Sequence, residues 1–92
     1  MSTTKFIRKQ GVVVQDMGSE SLLYSVEGKV VNVLNPTAKF VWELCDDTHT
    51  IEDMEREVRT NFSISNEYNV IEDIKKTLDI FASKGILDQK TL

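Results

Sequence analysis

The first third of the chain consists of short apolar runs separated by turn residues. Three runs lie at residues 11–16, 21–26 and 30–34, and the first and third are rich in valine, a β-branched residue that favours extended backbone. The two connections are four and three residues long and contain Gly18 and Gly28, which can adopt a positive φ at a turn. Because connections this short join antiparallel strands, the pattern predicts a three-stranded antiparallel sheet.

After residue 34 the apolar spacing changes to that of helices. Asn35 and Pro36 are the residue types typical of a helix N-cap and first helical position. Thr50, with Asp53 three residues later, indicates a second helix start. A third helix is predicted over residues 67–84, ending at Gly85. The predicted apolar faces are Ala38, Val41, Trp42 and Cys45 in the first helix, Ile51, Met54, Val58 and Phe62 in the second, and Val70, Ile74, Leu78 and Phe81 in the third.

The order of three strands and then three helices predicts an α+β fold. We assign residues 11–92 to a single domain and the polar, basic residues 1–10 to a flexible N-terminal arm. We expect Trp42 to be buried and Ile86 and Leu87 to pack back onto the core. Ninety-two residues, 40% of them hydrophobic and 28% charged, suit one small globular domain.

Charge and composition exclude several classes of partner. No run approaches the roughly 18–20 apolar residues of a membrane span, and the N-terminus lacks the apolar segment of a secretory signal. The net charge of −4 opposes binding to nucleic acid. The single cysteine cannot form an intrachain disulfide and fits a reducing compartment. We therefore expect a cytoplasmic protein that binds neither membranes nor nucleic acid.

Residues suited to catalysis are scarce. Cys45 and His49 are the only cysteine and the only histidine, and a nucleophilic pair would need them in contact. We interpret Cys45 as a small core residue and His49 as a loop residue. Two such ligands are too few for a structural zinc site, the acidic pairs lack the spacing of a calcium loop, and the glycines are isolated. The sequence thus predicts a non-enzymatic protein without metal or cofactor.

The strand predicted at Val30–Leu34 suits binding as well as core packing. An edge strand offers unpaired N–H and C=O groups to which a peptide can add as a further strand. Alternation places Val31 and Val33 on one face and Val30, Asn32 and Leu34 on the other. On the third helix, Ile71 extends the apolar arc and Ile80 lies outside it. Packing against the core, without any bound peptide, also accounts for this arc of apolar residues on the third helix.

The order of motifs resembles that of the pyrroloquinoline quinone synthesis protein D (PqqD) family. The similar strings are LNPTA at 34–38, WELCDD at 42–47, TIEDM at 50–54, VIEDI at 70–74 and KGIL at 84–87. The resemblance covers residues 12–87. The chain departs from the family pattern at Asp47, where the family usually has glycine.

The resemblance implies a winged-helix-like domain that acts as a RiPP recognition element, or peptide chaperone. Such a domain binds the leader of a ribosomally made precursor peptide and presents it to a modifying enzyme, often a radical S-adenosylmethionine protein, without doing chemistry itself. It implies that the leader adds to the third strand, facing the third helix. The implied peptide-binding residues are Val30, Val31, Asn32, Val33, Leu34, Ile71, Ile74, Lys75 and Leu78.

Two other functions stay open at this stage. A winged-helix fold also suits a DNA-binding regulator, although fold analogy is a weak basis for function and Lys75–Lys76 is the only adjacent basic pair of the last predicted helix. The other is a non-catalytic structural subunit of an enzyme complex.

Overall fold

The computed structural model describes residues 3–25, 29–65 and 67–91, with the backbone alone at 30, 31 and 91. In chain order the elements are β1 (Thr4–Arg8), β2 (Val12–Asp16), β3 (Ser21–Ser25), β4 (Val30–Leu34), α1 (Pro36–Leu44), α2 (Ile51–Phe62), α3 (Val70–Ser83) and β5 (Leu87–Thr91). The predicted α+β, winged-helix-like class is confirmed, since a three-stranded antiparallel sheet precedes three helices. None of the described helices is long and apolar enough to cross a membrane.

The strands β2, β3 and β4 form an antiparallel sheet with β3 in the centre. A tight turn joins β2 to β3, in which the Met17 N–H donates to the Glu20 carbonyl over 2.7 Å. Gly18 lies in this turn with a φ of 86°, which glycine adopts without steric cost. The pairing of β3 with β4 is irregular next to Leu23, so one residue of β4 is bulged. The turn predicted around Gly28 lies outside the described residues.

Local capping chemistry fixes where α1 and α2 begin, as the sequence predicts. The Asn35 side chain accepts from the Ala38 N–H over 2.7 Å at the start of α1. Thr50 and Asp53 form a reciprocal capping box at the start of α2. The third helix begins at Val70 and not at the predicted residue 67, because the Asn69 side chain caps it by accepting from the Glu72 N–H. Gly85, just after α3, has a φ of 72°, which is the left-handed conformation that ends helices.

A single apolar cluster lies between the sheets and the helices. Trp42 is only 3% exposed and contacts Phe81 edge to face, with ring centroids 5.1 Å apart. The predictions for Trp42, Ile86 and Leu87 are therefore confirmed. Among the side chains that the structure describes, the buried apolar ones are Phe6, Leu23, Leu34, Val41, Trp42, Cys45, Met54, Val58, Val70, Ile74, Leu78, Phe81, Ile86 and Leu87.

The N-terminal segment corrects the expectation of a flexible arm over residues 1–10. Residues 1 and 2 lie outside the described part of the chain, but Thr4–Arg8 forms β1 and pairs antiparallel with β5. Phe6 is buried in the core, and removing its apolar surface from water favours the docked strand. The Arg8 side chain donates to the carbonyls of Trp42 and Glu43 over 3.0 and 2.8 Å. Both carbonyls lie at the end of α1, where the Trp42 carbonyl also accepts from the Cys45 N–H over 3.1 Å, and a cationic side chain is favourable at the C-terminal end of a helix.

Candidate functional site

The strand β4 has an open edge. The Ser25 N–H donates to the Lys29 carbonyl over 2.9 Å, so alternate residues of β3, including Leu23, bond toward β4. Asn32 lies opposite Leu23 and therefore bonds toward β3. Val33, the next residue of β4, lies opposite Leu22, and because alternate residues bond to opposite sides its N–H points away from β3. No strand among the described residues pairs with this outer side of β4. This edge of β4 is therefore open to pairing with an added strand.

A cleft of about 220 Å³ lies between this edge and α3. Its floor contains Ala38 of α1, and Thr77, Ile80 and Phe81 form its helical wall. Val33 and Ile80 are 50% and 45% exposed, which is unusual for large apolar side chains on opposite sides of one cleft. An extended peptide between them would cover both.

The cleft continues into a wider pocket of about 520 Å³. Asn35, Ala38, Thr77 and Ile80 line both spaces, so the two form one groove. The far wall of the pocket adds Ile64, Tyr68, Asp73 and Lys76. The groove can therefore accept more than the backbone of a single short strand.

The loop after α2 is held in place by Arg59. The Arg59 side chain donates to the carbonyls of Ser65 and Tyr68, each over 2.8 Å, and it also pairs with Glu55. The Tyr68 hydroxyl donates to Asp73, and this hydrogen bond raises the pKa of Tyr68. Tyr68 therefore stays a protonated donor at neutral pH, and the pocket wall it forms is tied to α3.

The structure places the two halves of the predicted site differently. Val30–Leu34 forms the open edge of β4, with Leu34 buried and Val33 exposed. On α3, Ile74 and Leu78 are 2% and 4% exposed and belong to the core. Lys75 and Leu78 line a separate depression with Phe6 and Gln89, on the side of β1 and β5.

The helical residues predicted for the site therefore do not line the cleft beside β4. Ile71 shares the face of Lys75 and Leu78 by helical spacing, whereas Thr77, Ile80 and Phe81 lie beside β4. The resemblance assigned binding residues to the third helix, but it did not determine which face of that helix packs beside the sheet. The signal that could have located the wall was Ile80, an apolar residue outside the core face.

Cys45 and His49 lie outside the groove. Cys45 is fully buried, its thiol donates to the Val41 carbonyl over 3.2 Å, and burial raises its pKa to about 12. The prediction that it is a core residue is confirmed. His49 Nδ1 lies 3.1 Å from Asp46 Oδ1 in the loop after α1. Across the described residues, no group of three or more His, Cys, Asp or Glu side chains could hold a metal ion.

Comparisons with known proteins bear on the family and the fold. A family model described as coenzyme PQQ synthesis protein D (PqqD) matches residues 20–87. No curated protein matches the chain.

Two solved structures are similar to this fold. TbiB1 in complex with the TbiA(beta) leader peptide gives a TM-score of 0.70 at 19% identity, covering 89% of this chain and 94% of that chain. The heterocyclase TruD gives a TM-score of 0.64 at 16% identity, covering 95% of this chain and 12% of that chain. At these identities the similarity shows the fold alone.

Proposed function

This chain belongs to the PqqD family, and on that premise we propose that it binds the leader segment of a ribosomally made precursor peptide. The peptide adds as a strand to β4, and the domain presents it to a modifying enzyme. The observation that carries the proposal is the open edge of β4, which faces a groove whose other wall is α3.

Strand addition explains how such a site combines affinity with selectivity. Main-chain hydrogen bonds to the β4 edge depend little on peptide sequence, whereas alternate peptide side chains meet pockets. Here those side chains would lie against Val33 and Ile80 and reach the wider pocket lined by Tyr68 and Lys76. Because a free leader is disordered, ordering it costs about 2–5 kcal/mol of the gross interaction. Burial of the apolar side chains offsets that cost.

The two structural relatives are consistent with both parts of the proposal. TbiB1 has been solved with a leader peptide, which supports a peptide as the ligand of this fold. In TruD a domain of this fold makes up 12% of a heterocyclase chain, which supports a place beside a modifying enzyme. For this chain the family resemblance favours a radical S-adenosylmethionine enzyme as that partner. The domain itself contributes binding and no catalytic step, and it works in the cytoplasm, where precursor peptides are made.

The charge of α3 argues against the DNA-binding alternative. Its two lysines, Lys75 and Lys76, are outnumbered by Glu72, Asp73 and Asp79, and Lys76 lies 3.7 Å from Glu72. A recognition helix meets phosphates and needs an excess of positive charge. The net charge of the whole chain, −4, also opposes binding to DNA.

Peptide binding can be tested with matched substitutions on the two edges of one sheet. The probe is a fluorescein-labelled synthetic leader taken from a short peptide encoded beside the gene, and the readout is fluorescence anisotropy. Val33→Lys on β4 should weaken binding about 10-fold or more, because it replaces apolar contact with a charge that must be desolvated. Val13→Lys is the control, since Val13 is 55% exposed on β2, the opposite edge strand.

The same design applies to α3. Ile80→Lys should weaken binding, whereas Ile7→Lys should not, because Ile7 is 40% exposed on β1 in the other sheet. Equal affinities of all four variants would refute the proposed site. Amide-shift mapping provides an independent check, and shifts confined to β2 or α2 on adding the peptide would also refute it.

A further inference from the structure

The outward-facing N–H of Val33 is already hydrogen-bonded in the free protein. It donates to Oδ1 of the preceding residue, Asn32, over 3.0 Å. Asn32 also lines the cleft between β4 and α3. The side chain of Asn32 thus covers the donor that a carbonyl of an added strand would use.

We propose that Asn32 is a gate on the β4 edge. Its side-chain oxygen occupies the Val33 N–H while the site is empty, and it must rotate away before a peptide carbonyl takes the same donor. This inference rests on the proposed function, because it assumes that the peptide adds to β4. It assigns to Asn32 a role opposite to that of a ligand contact, since the side chain competes with the peptide.

A gate of this kind limits pairing of the open edge with other chains. Unpaired main-chain groups on a flat apolar edge are a template for pairing with other chains, including copies of the same protein. The Asn32 side chain satisfies one of these groups locally, as asparagine does elsewhere by bonding to nearby backbone. A peptide that binds exchanges this hydrogen bond for a new one, so the net gain from that donor is reduced. Loosely fitting strands are disfavoured accordingly, and peptides that also fill the groove are selected.

Two variants separate the acceptor from the rest of the side chain. Asn32→Ala removes the acceptor without adding apolar surface to the cleft, whereas Asn32→Asp keeps an acceptor in the same position. Asn32→Ala should bind the labelled leader about 2- to 10-fold more tightly than wild type, as expected when a competing hydrogen bond is removed. Asn32→Asp should bind no more tightly than wild type.

Amide hydrogen exchange reports on the gate without any peptide. The Val33 amide of the free protein should exchange several-fold faster in Asn32→Ala than in wild type, and in Asn32→Asp it should exchange no faster than in wild type. Adding leader peptide should then protect the Val33 amide in wild type and in Asn32→Ala.

The outcomes distinguish the gate from the proposed function. If wild type binds the leader and Asn32→Ala binds it equally or more weakly, the gate is overturned while peptide recognition stands. An unchanged Val33 exchange rate in Asn32→Ala also overturns the gate. If neither wild type nor Asn32→Ala binds any leader, the proposed function fails and the gate fails with it.

Discussion

Proline substitutions at two adjacent positions of β4 should have opposite effects on folding and on binding. The Asn32 N–H points toward β3, where Leu23 lies opposite, whereas the Val33 N–H points to the open edge. Proline has no N–H, so it deletes whichever bond the replaced residue makes. Asn32→Pro should therefore damage the fold, and Val33→Pro should damage binding.

The magnitudes follow from what each N–H contacts. Asn32→Pro removes a ladder hydrogen bond, worth about 0.5–1.5 kcal/mol, and leaves the backbone acceptor of fully buried Leu23 without a partner, at about 1–3 kcal/mol. The total of roughly 1.5–4.5 kcal/mol is a large share of the stability of a small domain. Val33→Pro removes only the bond to the Asn32 side chain, so we expect the free energy of unfolding to fall by about 1 kcal/mol or less.

Peptide affinity should show the reverse order. Val33→Pro removes the donor for a peptide carbonyl and places a ring on the edge that the peptide approaches, so the Kd should rise about 10-fold or more. Urea unfolding measures the fold, and fluorescence anisotropy with the labelled leader measures the affinity. Val14→Pro is a matched control, because alternation from the Met17–Glu20 bond turns the Val14 N–H to the open edge of β2. It should leave the affinity unchanged.

Two results would refute this reasoning. If Val33→Pro destabilises the fold as much as Asn32→Pro does, the Val33 N–H is part of the ladder to β3. If Val33→Pro folds normally and binds the leader like wild type, the peptide does not add to the outer edge of β4.

Three further predictions concern the scaffold. Trp42→Ala should lower the free energy of unfolding by about 3–5 kcal/mol, because a buried ring in contact with Phe81 is lost; unchanged thermal stability would contradict its burial. Asp47→Gly should raise stability in urea by up to about 1 kcal/mol, since Asp47 has a φ of 68° and its exposed pair with Lys90 contributes little; a loss of stability would contradict this. The Thr50 N–H holds the pKa of Asp53 below its ordinary value of 3.8, so this carboxylate stabilises the fold above that pH and the contribution is lost as the pH falls through the lowered pKa. Asp53→Asn should flatten this part of the acid-induced loss of thermal stability, and an identical pH profile would contradict the prediction.

The starts of α1 and α2 could be predicted from the sequence because their chemistry is local. Asn35 bonds a backbone N–H three residues away, and Thr50 and Asp53 bond each other's backbone. Such contacts are fixed by sequence spacing alone. The core faces of the helices follow from the same regularity, as the burial of Val70 and Phe81 on α3 illustrates.

The two terminal strands could not be predicted because they stabilise each other across the whole chain. Thr4 pairs with Thr91 in the β1–β5 ladder, and neither strand has the apolar alternation of a half-buried strand. Phe6 and Leu87 anchor the pair in the core. A single apolar anchor in each strand gives a sequence signal too weak to distinguish from a polar tail.

The structure places the predicted strand at an open edge but the predicted helical residues away from that edge, and the reason is geometric. A strand at the edge of a sheet has only one open side, so identifying β4 as the binding strand also identifies the side to which a peptide can add. A helix has several faces, and periodicity identifies the one that enters the core but not which of the others lies beside the strand. On α3 that choice depends on how the helix docks against α1 and the sheet, which brings Thr77 and Ile80 to β4 and turns Lys75 toward β1 and β5.

The LNPTA motif at 34–38 shows how one short segment serves both the scaffold and the groove. Leu34 is 1% exposed and anchors β4 in the core, while Asn35 caps α1 and so turns the chain sharply at the end of the strand. That turn places Ala38 under the strand edge, where it lines both the cleft and the wider pocket. A small side chain at this position leaves room that a larger one would fill. The motif therefore sets the depth of the groove through the same capping interaction that begins the helix, so the scaffold and the proposed site are one structural feature.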